Sequence, residues 1–243
     1  MQNLRTADRT VDLTVHDFAM RATCWAETGG EARPLLFLNG IAADNRLAAK
    51  LLGRIAGRAL VTLDMPGLGG APDRLWPYSI ADAATAVVAA MAQLGHDRFD
   101  IAGFSWGGAV AQQIAVAHRA ALGRMVLIAT SPVMPAPGVG TATLFDADVL
   151  SSGMRLTGTS LMGAGAQLLA AQGWSAASAL GALDVPTLVL GATRDMVVPI
   201  AYPQWLARLI PGARLVTMDG AHLFAFRQAS VVGPMIAAFL DED

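Results

Sequence analysis

Of 243 residues, 54% are hydrophobic and only 15% charged, against roughly 25% charged in an average globular chain, a composition that excludes disorder and calls for one large core. A net charge of −2 with no run of lysine or arginine excludes nucleic acid and anionic lipid as electrostatic partners. The single cysteine, Cys24, excludes an intramolecular disulfide and a cysteine metal cluster, and four histidines outside HxxxH or HExxH spacing give a metal site no support.

The chain starts with MQNLRTADRTVDLTVHDF, charged throughout and without an apolar stretch leading to a cleavage site, so no signal peptide is expected and the cytoplasm is the expected compartment. Two β-like runs follow, Val11 to Val15 and Phe18 to Glu27. Short apolar runs then alternate with helical patterns. PLLFLN (34–39) precedes a helix from Asn45 to Ala56, ALVTLD (59–64) one from Ala81 to Leu94, and FDIAGF (99–104) one from Trp106 to His118. RMVLIA (124–129) comes next, then PTLVLG (186–191) with a helix from Tyr202 to Leu209, and ARLVTM (213–218) with one from Ser230 to Leu240. This alternation predicts an α/β fold, a mostly parallel central sheet flanked by helices on both faces, in a single domain over residues 1–243.

The rhythm breaks between Ala129 and Pro186. A connection this long is a functional insertion rather than a bare loop, and residues 131–183 are expected to form a small, partly helical lid. From Leu156 to Leu183 it carries no charge, yet five glycines, Gln167, Gln172 and several Ser and Thr interrupt it, which argues for an apolar surface element over a transmembrane helix. Leu156, Leu161, Met162, Leu168 and Leu169 are expected to form a patch able to adsorb to a hydrophobic polymer surface.

Between strand 99–104 and helix 106–118 lies GFSWG, a GxSxG pattern of Gly103, Ser105 and Gly107. In that setting the serine occupies a strained turn that needs small neighbours, and it is a candidate nucleophile. A serine needs a base. His222, just after the last strand, stands at the carboxyl edge where α/β sites form; His16, His96 and His118 occupy a strand region, an amino-end turn and a helix end. Asp195, after strand 186–191, is the candidate carboxylate to orient His222, since Asp184 precedes that strand; Asp219, three residues from His222, is the alternative. The order Ser, Asp, His is that of α/β-hydrolases. Backbone N–H groups of Trp106 and Ile41 are the candidate oxyanion donors. Asn39 is read evenly as a brace of that loop or a turn residue, and Asp64 as a loop organiser rather than a catalytic acid.

On these residues the chain resembles the α/β-hydrolase superfamily, and within it the intracellular medium-chain-length polyhydroxyalkanoate depolymerases. The matching stretches are LLFLNGIA, LDMPGLGG, GFSWGGAVAQQ, QGW, PTLVLGATRDMVVP and DGAHLF, spread over residues 34–241. The resemblance implies Ser105 as nucleophile, Asp195 as acid and His222 as base, and no cofactor. It departs from the family in a shorter lid between Pro132 and Gln172 and in Ala221, where those enzymes carry glycine. The expected function is serine carboxylic ester hydrolysis of apolar aliphatic esters, extending to 3-hydroxyalkanoate oligomers or polymer. Rivals are other users of the same triad (thioesterase, lactonase, carbon–carbon hydrolase, perhydrolase) and, in another class, a non-catalytic ligand- or granule-binding protein. Haloalkane dehalogenases and epoxide hydrolases place aspartate where Ser105 stands.

Overall fold

The computed structural model describes residues 8–25, 32–43, 45–134 and 159–242, and each of the eight runs expected as strands contributes to one eight-stranded sheet. In chain order these are β1 (Arg9–Val15), β2 (Phe18–Trp25), β3 (Leu35–Leu38), β4 (Leu60–Asp64), β5 (Phe99–Phe104), β6 (Leu122–Ile128), β9 (Thr187–Ala192) and β10 (Arg214–Met218). Two further short strands, β7 (Val133–Met134) and β8 (Trp174–Ser175), form an antiparallel pair of their own. The spatial order is β1-β2-β4-β3-β5-β6-β9-β10, antiparallel from β1 to β4 and parallel from β4 to β10. Every residue of β3, β4 and β5 is buried, because helices cover the sheet on both sides, whereas the edge strand β10 is half open.

Two apolar layers result. On one face α2 (Ile80–Gln93), α3 (Trp106–Ala117) and α5 (Ala201–Leu209) bury Ile80, Val87, Val110, Ile114 and Leu206 against the sheet. On the other, α1 (Asn45–Leu52), α6 (Phe224–Arg227) and α7 (Ala229–Leu240) bury Leu51, Leu52, Phe224, Val232 and Ile236. Each fully buried Leu, Ile or Val contributes roughly 1.5–3 kcal/mol. Ser79 starts α2 with a capping box: its hydroxyl accepts from Asp82 N (3.1 Å) while the Asp82 carboxylate accepts from Ser79 N (2.8 Å). That contact holds the Asp82 carboxyl below its usual range.

Helix α1 ends at Leu52, short of the expected Ala56, because Gly53 lets the chain tighten into turns, with Arg54 N bonded to Leu51 O and Ile55 N to Leu52 O. Strand β6 starts two residues earlier than expected: Leu122 pairs with Phe99, the register then shifts until Met125 pairs with Ile101, and at that irregularity the Asp100 carboxylate accepts a hydrogen bond from the Arg124 amide (2.8 Å). Of the expected insertion, residues 135–158, including Leu156, lie outside the described part; the rest holds the β7–β8 pair and α4 (Leu161–Ala171). Helix α4 is capped by Ser160, which accepts from Gly163 N (2.8 Å). It rests on the loops after β3 and β4 through Thr159 to Ala42, Ser160 to Gly67 and a hydrogen bond from Ser160 to Asp73.

Candidate active site

From β3 the chain turns to α1 on one face, and from the neighbouring β5 it turns to α3 on the other. Such a reversal opens a crevice at the carboxyl ends of the strands. The loop Asn39–Ala43 and Ser105 both sit there.

Ser105 adopts φ 53 and ψ −114, between the last residue of β5 and the first of α3. Its amide donates to Ile128 O (2.9 Å) and its carbonyl accepts from Gly108 N and from Thr130 Oγ1 (2.8 Å). The glycines around it are required sterically. A Cβ on Gly103 would strike the backbone of Gly107, and one on Gly107 the carbonyls of Leu38 and Asn39. Gly40 comes so close that its added Cβ would lie 3.4 Å from Ser105 Cβ and 3.0 Å from the Phe104 ring, so the loop after β3 packs directly on the serine. Ile41 belongs to this loop and Trp106 opens α3, where the first N–H groups lack partners within the helix and the dipole favours negative charge.

Asp195 and His222 come from the loops after β9 and β10. His222 Nδ1 lies 2.8 Å from Asp195 Oδ2, with both side chains buried. The other carboxylate oxygen accepts from Val197 N (2.9 Å) and Val198 N (2.8 Å), so the acid is held from both sides. The His222 ring packs 4.9 Å from that of Phe104, which in turn stacks edge-on against Phe226. Phe104, the residue preceding Ser105, thus packs the histidine against the elbow. Among the described residues no hydrogen bond joins Ser105 Oγ to His222; catalytic contacts of this kind commonly tighten only when substrate arrives.

Asp219 goes elsewhere: it is exposed and pairs with Arg194 (2.9 Å) and Thr193 (3.1 Å). Asp64 is buried and accepts from Asn45 N (2.9 Å) at the start of α1, while Gly69 packs on its carboxylate, which is a loop-organising position. Asn39 is buried beside the Gly107 turn. The loops carrying Asp195 and His222 also border a depression of about 570 Å³ lined by Arg194, Met196, Asp219, Gly220, Ala221, Arg227 and Gln228. Ser105 does not line it, so it is not where an acyl group would meet the serine.

Three residues around the site were not read from sequence: Thr130, Thr159 and Gln167. Gln167, on α4, is 1% exposed; its Oε1 accepts from Ala42 N (2.8 Å) and its carbonyl from Trp106 Nε1 (3.1 Å). Ala42 has φ 58, a left-handed conformation costing a non-glycine residue roughly 1–2 kcal/mol. The available signal was a lone amide in an apolar helix, which must find a partner when buried.

Residues 33–157 match the family described as the alpha/beta hydrolase fold. A poly(3-hydroxyalkanoate) depolymerase of Ectopseudomonas oleovorans is 28% identical over 86% of this chain and 85% of its own, in keeping with the resemblance carried by the motifs. Among solved structures, a hydrolase from Pseudomonas aeruginosa superposes with a TM-score of 0.83 at 22% identity, covering 98% of this chain and all of the other. The enol-lactonase of Burkholderia xenovorans gives 0.83 at 20% identity over 96% of this chain and all of its own. Among the described residues no helix is long and apolar enough to cross a membrane.

Proposed function

Because this chain belongs to the α/β hydrolase fold family, we propose that it is a serine carboxylic ester hydrolase with Ser105 as nucleophile, His222 as base and Asp195 as orienting acid. Ser105 Oγ attacks the ester carbonyl as His222 Nε2 takes its proton, and Asp195 holds the Nδ1–H and stabilises the imidazolium. The oxyanion is received by the amides of Ile41 and Trp106, donors already aimed before charge develops. Collapse expels the alcohol with the proton from His222; water activated by the same imidazole then opens the acyl-enzyme and releases the acid. These groups and water account for every proton and electron pair, so no metal or cofactor takes part.

The observation that carries the reading is the 2.8 Å contact of His222 Nδ1 with Asp195, at the edge of the sheet where a serine sits in a strained elbow. For the substrate we favour apolar aliphatic esters, including 3-hydroxyalkanoate oligomers or polymer. Support comes from the depolymerase relative and from α4, which presents Leu161, Met162, Leu168 and Leu169 to solvent. We read α4 with the β7–β8 pair as the described part of a lid on a single domain, and its apolar face as the surface that meets an insoluble polyester.

A fluorophosphonate probe is the direct test. It should label the folded protein at Ser105 and abolish turnover of esters with acyl chains of two to twelve carbons. A folded sample that takes no label and hydrolyses no ester overturns the reading in favour of a binding protein. Faster turnover of thioesters or lactones than of matched open esters would keep the triad and change the substrate.

A further inference from the structure

We propose that Gln167 is a positioning residue for the oxyanion loop, acting through Ala42, with Thr159 as its second clamp. The inference rests on the reading of Ile41 and Trp106 as oxyanion donors.

Ala42 holds a left-handed backbone, φ 58, without being glycine, so something outside the loop must keep it there. Both of its peptide groups are held from the same direction. Its N–H donates to Gln167 Oε1 (2.8 Å), and its C=O accepts from Thr159 Oγ1 (3.0 Å). The first bond fixes the plane of the peptide joining Ile41 to Ala42. Only the two backbone dihedrals of Ile41 then separate that plane from the N–H that Ile41 offers to the oxyanion. The same Gln167 reaches the other donor by its main chain, since its carbonyl accepts from the indole Nε1 of Trp106 (3.1 Å). One residue of α4 therefore touches the surroundings of both candidate donors, the Ala42 amide with its side chain and the Trp106 indole with its carbonyl, from a position 1% exposed where its amide serves the protein rather than water. Displacing α4 would withdraw both clamps on Ala42 together, and hydrolytic competence depends on its being seated.

The test uses Gln167→Leu, which keeps the volume and loses the acceptor, with Thr159→Val and the conservative Thr159→Ser. On a soluble ester, Gln167→Leu should lower kcat by about 10- to 100-fold, less than or comparable to the loss of a whole oxyanion donor, with KM within about twofold. Affinity for an alkyl boronic acid, which forms a tetrahedral adduct on Ser105, should fall in parallel with kcat, while affinity for the product carboxylic acid stays unchanged. Thr159→Val should show the same split more weakly and Thr159→Ser should restore the wild-type values. If Gln167→Leu does not fold, the Thr159 pair decides alone. A folded Gln167→Leu, or in its absence Thr159→Val, with wild-type kcat and boronate affinity overturns the proposal while esterase activity stands. A wild-type protein that neither hydrolyses esters nor takes the fluorophosphonate label removes the oxyanion reading itself, and this proposal with it.

Discussion

Ser105 with its positive φ, and the buried contact of Asp195 with His222, make the sharpest expectations at the scale of single residues. Ser105→Ala should lower kcat on a soluble butyrate ester by about 10⁶ if the three residues act as a unit. Asp195→Asn should cost about 10⁴, because an amide N–H donated to Nδ1 holds the His222 imidazole in the wrong tautomer. Asp219→Asn breaks only an exposed pair with Arg194, worth under about 1 kcal/mol, and should cost less than about tenfold; the reverse ranking of the two aspartates would name Asp219 as the acid. The elbow was legible because its requirement is steric and local: with Gly103 and Gly107 two residues from Ser105, the spacing itself states which backbones must pass close by. Gln167 was not legible in the same way. Its partners are 125 and 61 residues away, and from sequence it counted only as a polar break in an apolar run.

Among the elements, α4 carries its leucines on the surface, as its uncharged, glycine-interrupted pattern leads one to expect. Leu161 is 91% exposed, and Leu168 and Leu169 also face water, while Gly163 packs against Gly67 and Gln167, Ala170 and Ala171 are buried. Leu161→Asp with Leu168→Asp should therefore leave the unfolding midpoint nearly unchanged. On an insoluble aliphatic polyester it should cut hydrolysis by roughly 100-fold or more, since each of the two leucines buried on adsorption contributes roughly 1.5–3 kcal/mol, against under about twofold on the soluble ester. Equal losses on both substrates would assign these side chains to the acyl site instead. A second expectation concerns the turn between α2 and β5. Burial, with help from nearby Arg9, holds His96 below its ordinary value of 6.5, so the folded protein takes up that proton at lower pH than the unfolded chain does. Its stabilising contribution is whole above about pH 6.5 and is lost as pH falls from there to the lower folded value. His96→Asn should flatten that part of a urea-midpoint profile against pH, and an unchanged slope would discount the histidine. Most boundaries were legible to within two residues, because turn residues bracket each apolar run. The β7–β8 pair and α6 were not, since two-residue strands and a single helical turn carry no period to detect.

For the whole molecule, the alternation of strands and helices announced a parallel sheet, but not the charges pinned beneath it. At the amino-end edge of the sheet Asp100 accepts from Arg58 (2.8 Å), Arg33 (3.1 Å) and the Arg124 amide, while Arg58, 2% exposed, also pairs with Asp241 just past α7. Asp100→Asn should cost about 1.5–3 kcal/mol of unfolding free energy in urea, because it removes the buried carboxylate from Arg58 and leaves that guanidinium with Asp241 as its one charged partner among the described residues; a loss under about 1 kcal/mol would show that water reaches the site. Such a cluster leaves no periodic trace, since its members are dispersed along the chain. It also fixes an order of events during synthesis. The face of the sheet built on β3, β4 and β5 is closed by α1 early, but by α6 and α7 only once residues 224–240 have been made. Arg58 and Asp241 are 183 residues apart, so at translation rates of about 5–20 residues per second the second partner follows the first by roughly 10–40 seconds. For that interval Leu35, Phe37 and Leu60 stand behind one short helix. A nascent chain should therefore keep part of this apolar face uncovered until α7 has been made and packs on it.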